Sequence, residues 1–99
     1  MSWRARRVDA NQAEIMAAAR AMGCSVADTS SIGNGFPDLV IGLVTLKGRI
    51  NLIVEVKDGA KPPSARKLTG DEREFRDAWR GQYAVVSSID ELRELLAQA

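Results

Sequence analysis

The chain has 99 residues, 45% hydrophobic and 27% charged, with a formal net charge of +1, which fits one small globular domain and excludes a wholly disordered chain. It contains no histidine and one cysteine, so Ser-His-Asp and Cys-His triads, histidine-dependent zinc sites and internal disulfides are ruled out. Any chemistry must rest on carboxylates, lysine, hydroxyls or a hard cation.

Residues 10–22 read as a helix, because Ile15, Ala18, Ala19 and Met22 fall on one stripe. Asp9 is its expected N-cap and Gly23 its stop. Cys24 to Asp28 is a short strand, followed by the polar, glycine-containing stretch Thr29 to Gly35. Asp38 to Val44 is an almost continuous apolar run, the pattern of a strand buried on both faces. Lys47-Gly48 marks a hairpin turn, and Ile50 to Lys57 is the returning strand. Asp58 to Arg66 holds Gly59, Pro62, Pro63 and Ser64 and is a loop. Thr69-Gly70-Asp71-Glu72 has capping-box form and opens a helix from Glu72 to Arg80, with Phe75 and Trp79 turned inward. Gly81 ends it. Tyr83 to Val86 is a short buried strand, and Ser88-Ile89-Asp90-Glu91 is a second capping box, opening a last helix through Leu92, Leu95 and Leu96. The order αβββαβα predicts one α/β domain over residues 1–99, a sheet with helices packed on it and a parallel crossover between its third and fourth strands.

No apolar run approaches the roughly 18 residues of a membrane span, and Met1 to Arg7 lacks the apolar centre of a signal peptide. Cys24 reads as a small buried hydrophobe, and a lone cysteine suits a reducing compartment. A cytoplasmic protein without membrane contact is expected. Charge is unevenly spread: residues 47–67 hold six lysines and arginines against Glu55 and Asp58, and Arg4, Arg6 and Arg7 crowd the N-terminus. Such blocks are either solvated surface or a local phosphate-binding patch.

Two acidic positions fall where strands meet loops. Asn51, Ile53, Glu55 and Lys57 share one face of their strand. Folding back from the turn brings Asp38 roughly opposite them, within about one or two rungs of 4.8 Å. Mg²⁺ takes oxygen ligands and needs only one or two protein carboxylates beside water and substrate phosphate. Asp38 and Glu55, with the Val56 carbonyl between, suit such an ion, which would acidify a water and neutralise a phosphodiester. Lys57 would position or deprotonate that water or stabilise the pentavalent phosphate. The bland reading of the Glu-x-Lys triplet is a surface ion pair. Against it stands the apolar strand around Glu55, an expensive place for unpaired charge. Gly33-Asn34-Gly35 also lets backbone approach a ligand closely.

Gly35-Phe36-Pro37-Asp38 followed by Glu55-Val56-Lys57 resembles the PD-(D/E)xK nuclease motif. Together with Asn11-Gln12-Ala13-Glu14-Ile15 and Leu68-Thr69 … Glu72-Arg73-Glu74-Phe75, the chain looks like the virus-type replication–repair nuclease (VRR-NUC) branch, from about Val8 to Val86. The resemblance implies a restriction-endonuclease-like αβββαβ core with a mixed sheet, similar to that of Holliday-junction resolvases. It implies Asp38 and Glu55 as metal ligands, Lys57 as the catalytic lysine and Glu14 as an additional acid near the metal. Mg²⁺ is the implied cofactor, with Mn²⁺ as substitute, and the setting is the cytoplasm of a bacterium or phage-infected cell. One position departs: many members carry glutamine where Glu72 stands. Glu72 either points at the site or serves only the capping box.

Lesser candidates surround this set. Lys61, Ser64, Arg66 and Lys67 form a loop able to grip phosphates, or merely solvated charge; Arg4, Arg6 and Arg7, within residues 1–8, are a DNA-reaching arm or a plain tail. Asn11 and Gln12 cap the first helix unless Gln12 reaches the site. Trp79 and Tyr83 read as core rather than base-stacking platforms. The expected function is a Mg²⁺-dependent endodeoxyribonuclease acting on branched DNA such as Holliday junctions, as a homodimer. The alternative is a nucleic-acid-binding or accessory subunit of a replication or repair complex with little activity alone.

Overall fold

Alternating side chains along four β-strands sort this chain into a two-faced sheet. The structure, a computed structural model, describes residues 10–99; Asp9 and the basic residues Arg4, Arg6 and Arg7 lie outside the described residues. Strands β1 (Ser25–Asp28), β2 (Leu39–Thr45), β3 (Gly48–Val56) and β4 (Tyr83–Val86) form one sheet in the order β1-β2-β3-β4. β1 and β3 each run antiparallel to β2, and β4 runs parallel to β3. Helices α1 (Ala10–Ala21), α2 (Gly70–Ala78) and α3 (Ile89–Gln98) complete the expected order, and Pro63–Arg66 forms one 3₁₀ turn inside the loop after β3. Among the described residues, no helix is long and apolar enough to cross a membrane.

One face of the sheet is aliphatic and dry. Leu39 and Ile41 of β2, Leu52, Val54 and Val56 of β3 and Val86 of β4 pack against Ile15 and Ala19 of α1 and Leu92 of α3. Cys24 packs partly against this core. Gly23, at φ 93°, closes α1 as expected: its N–H bonds the Arg20 carbonyl and that of Cys24 the Ala19 carbonyl, the Schellman pattern. Gln12 is buried, and its side-chain amide donates to Asp28 Oδ1 at 3.3 Å.

The opposite face carries Val40, Ile53, Glu55, Tyr83 and Val85 and is covered only in part, by α2. This corrects three expectations, one of them at β4: Tyr83 to Val86 is not buried throughout, since Val85 is 42% exposed on this thinly covered face. β2 is not buried on both faces along its length: Val44 is 77% exposed, because the β2–β3 hairpin runs past α2. Trp79 is not turned inward either; it caps the C-terminus of α2 and is 43% exposed. The two caps also differ. Thr69 and Glu72 form a full capping box. Ser88 accepts the Glu91 N–H, but the Glu91 carboxylate takes the N–H and hydroxyl of Ser87, one residue beyond the expected partner.

A candidate active site at one end of the sheet

The register of β2 and β3 builds the site. Leu39 pairs with Val54, so one step further Asp38 stands across from Glu55, on the face away from the aliphatic core. Asp38 Oδ2 accepts the Val56 N–H at 2.9 Å. Its carbonyl accepts the Thr29 N–H at 2.8 Å, and the Thr29 hydroxyl donates to the Pro37 carbonyl at 2.7 Å. Asp38 is thereby fixed on both sides. Glu55 is only 4% exposed. Lys57, two residues on, holds its ammonium 3.6 Å from Glu55 Oε2 and 2.7 Å from Glu72 Oε1.

Glu72 therefore does both things the sequence left open. Its Oε1 accepts the Thr69 N–H at 2.8 Å and the Lys57 ammonium as well. What brings it there is the glycine-containing loop before β2. Gly33, Asn34 and Gly35 take φ of 78°, 56° and 80°, and a Cβ on Gly35 would collide with the Asp71 carbonyl. The close approach expected toward a ligand is thus made to the first turn of α2. Phe36 then meets Phe75 edge-on, centroids 5.2 Å apart, and Glu72 is set over Lys57.

Three carboxyls and one ammonium share this space, and their acidities diverge. Burial, with the charges of Asp38 and Glu72 beside it, pushes Glu55 up to about 9. Burial also raises Asp38, against the opposing hydrogen bonds from Val56 and Glu55. Burial works against the charge on Lys57, but the hydrogen bond to Glu72 and the surrounding carboxylates outweigh it and raise its pKa. Glu72 is lowered: burial would raise it, but the hydrogen bonds from Lys57 and the Thr69 backbone prevail. At neutral pH the Asp38–Glu55 pair therefore shares a proton, while Lys57 and Glu72 form an ion pair.

Among the described residues, no three acidic or cysteine side chains converge on one metal-ligation point. The donor set still fits a hard cation that keeps several waters. Two carboxyls stand side by side, the nearby Lys57 ammonium sits closer to Glu72 than to Glu55, and Val56 turns its N–H toward Asp38, so its carbonyl faces that side of the strand too.

The other candidates are distributed around this centre. Glu14 is exposed and lines a separate cavity of about 650 Å³ with Asn11, Asp58, Gly59, Arg66 and the start of α3; it is not among the groups joined to Asp38 and Glu55. Gln12 is bound to Asp28, on the aliphatic side. Lys61, Ser64 and Lys67 are exposed in the loop after β3, and Arg66 is half-buried there, its Nε without a hydrogen-bond partner. Sequence reasoning missed Asn11: its amide donates to the Lys57 carbonyl at 2.6 Å and to the Ser87 carbonyl at 3.4 Å, pinning α1 to the ends of the two parallel strands. No sequence signal separates that role from helix capping. Compared with protein-family models, curated proteins and solved structures, the chain has no match, so its likeness to the PD-(D/E)xK nucleases rests on its own motif residues.

Proposed function

We propose that the protein is a metal-dependent endodeoxyribonuclease that hydrolyses DNA phosphodiester bonds at Asp38, Glu55 and Lys57. The observation that carries this reading is the convergence of those three residues at one end of the sheet, with the Glu55 carboxyl buried and the Lys57 ammonium between two acids. Burying a carboxyl among carboxyls opposes stability unless a cation or proton compensates it, which favours a functional origin over a surface ion pair.

Asp38 and Glu55 would hold Mg²⁺ or Mn²⁺, with the Val56 carbonyl near. When bound, such an ion neutralises phosphate charge and acidifies water. The Val56 N–H fixes Asp38, so the ligand needs no reordering. Lys57 stays protonated among its acids, which favours a role as a donor over one as a base: its N–H groups orient the attacking water and stabilise charge building on the phosphate oxygens. Glu72 keeps the Lys57 side chain aimed. The balance is simple: water forms one P–O bond, one ester P–O bond breaks, the water proton leaves to solvent and the departing alkoxide is protonated.

The loop bearing Lys61, Arg66 and Lys67 would hold flanking phosphates. Branched DNA and a homodimer remain part of this proposal, because a two-fold dimer supplies paired sites for the two symmetric cuts that a junction needs. The test is incubation of purified protein with labelled four-way junction, flap, duplex and single-stranded DNA, with Mg²⁺, with Mn²⁺ and with chelator. Cleavage that needs the cation and disappears in Asp38→Asn supports the reading. Cleavage that persists in chelator, or in the variant, refutes it.

A further inference from the structure

Glu72 and Phe75 lie three positions apart on one side of α2, and Trp79 follows as the residue that caps the helix C-terminus. Glu72 touches Lys57. Phe75, one turn on, meets Phe36 edge-on, and Phe36 lies two residues before Asp38. Trp79 stacks on Phe75, centroids 5.1 Å apart and planes 17° from parallel. A row of rings therefore begins beside the acid cluster and ends on a tryptophan that is 43% exposed. Leucine or methionine would serve the partly covered sheet face as well. Gly81, with no side chain, lies beside the pyrrole end of the indole, so an indole held nearly flat against a phenyl ring keeps part of its surface open to solvent, the arrangement that stacks another flat ring.

Position and charge suggest which ring. Trp79 stands seven positions after Glu72, one residue past the end of α2, a rise of about 10 Å, the length of about three stacked nucleotides at roughly 3.4 Å each. Arg80 follows Trp79 directly and, among the described residues, has no ion pair, whereas Arg76 is held by Asp77. A π-platform beside a free guanidinium is how sequence-tolerant single-strand sites are built. Bases inside a duplex are stacked on both faces and offer Trp79 nothing.

We propose that Trp79 is a stacking platform for an unpaired nucleobase about three nucleotides from the scissile phosphate, so that substrates enter with a single-stranded or splayed segment laid along α2. The word scissile rests on the nuclease reading; the binding claim does not.

The test is binding measured without turnover. Fluorescein-labelled oligo-dT and a blunt duplex of equal length are titrated by anisotropy in chelator, against wild type, Trp79→Phe and Trp79→Leu. Trp79→Leu keeps apolar bulk but loses the π-face, and should weaken oligo-dT binding roughly 5- to 150-fold while duplex binding stays within twofold. Trp79→Phe should retain most of the affinity. The chain has two tryptophans, Trp3 and Trp79, so in a Trp3→Phe background oligo-dT should quench Trp79 fluorescence without any change to α2. Unchanged oligo-dT affinity in Trp79→Leu, equal losses for duplex, or absent quenching each overturns the proposal. So does light scattering showing a dimer that Trp79→Leu dissociates without altering oligo-dT affinity, which would make a second copy the occupant. Cleavage with Trp79-independent binding overturns this inference alone; Trp79-dependent binding without cleavage in any metal overturns the nuclease reading alone.

Discussion

The two faces of the sheet are built on opposite terms. Under α1 and α3, the face bearing Leu39, Ile41, Leu52, Val54, Val56 and Val86 is wholly aliphatic and closed to water. Under α2, the same strands present Asp38, Glu55 and Lys57, and a single nine-residue helix covers only part of them. A chain this short has little apolar area to bury. It concentrates that area on one face, which leaves the other free to hold charge at the expense of stability. Apolar packing and buried charge are thereby separated by the thickness of one strand, with Val54 and Val56 pointing one way and Glu55 the other.

That separation can be broken from either side. The largest effect expected is on turnover: Lys57→Ala should lower DNA cleavage by three orders of magnitude or more on the order of catalytic-group deletions, while DNA affinity falls only a few-fold. Single-turnover cleavage beside anisotropy reads both, and activity within about tenfold of wild type removes Lys57 from the mechanism. On the aliphatic face, Ile41→Ala should destabilise by about 2–5 kcal/mol, whereas Val44→Ala, on the same strand but exposed, should stay within about 0.5 kcal/mol. Denaturant unfolding of both variants decides whether the faces are as unequal as their burial.

The acid cluster gives a prediction of opposite sign. Glu55→Gln should raise the thermal midpoint in chelator by a few degrees while abolishing cleavage, since the amide keeps the shape and removes a buried acid. The pH dependence follows. Glu55 goes from 4.5 in the unfolded chain to about 9 in the fold, so the folded state binds the extra proton. Its contribution is fully present below pH 4.5 and is lost as pH rises through about 9. Metal-free wild type should lose stability across that interval, and Glu55→Gln should lose less. A midpoint insensitive to pH in both proteins would show that Glu55 does not hold its proton. The smallest effect is at the cap: Thr69→Ala should cost about 1 kcal/mol and, by loosening Glu72, reduce cleavage several-fold.

Much of this was legible in the residues, for reasons that differ by element. A hairpin turn read at Lys47-Gly48 lies one residue from the turn at Leu46-Lys47 that the Thr45–Gly48 pair closes, and the resulting register puts Asp38 beside Glu55. The Thr69–Glu72 capping box and the Gly23 stop are local backbone chemistry and need no tertiary information. What could not be read was coverage. An apolar run such as Asp38 to Val44 looks alike whether one or two layers pack on it, so Val44 and Trp79 were expected inside. Glu72 was ambiguous because a capping carboxylate and a lysine partner demand the same residue. Only the docking of Asp71 against Gly35 lets one oxygen serve both. Glu14 carried its role solely through resemblance, and the fold directs it to another cavity.

The central claim is that the thinly covered face is a cation site. Calorimetric titration of Mn²⁺, which favours the same oxygen donors as Mg²⁺, into wild type and into Asp38→Asn at neutral pH tests it most directly. The account predicts saturable binding near one ion per chain in wild type, weakened at least tenfold in the variant. Equal affinity in both proteins, or no binding in wild type, would contradict it.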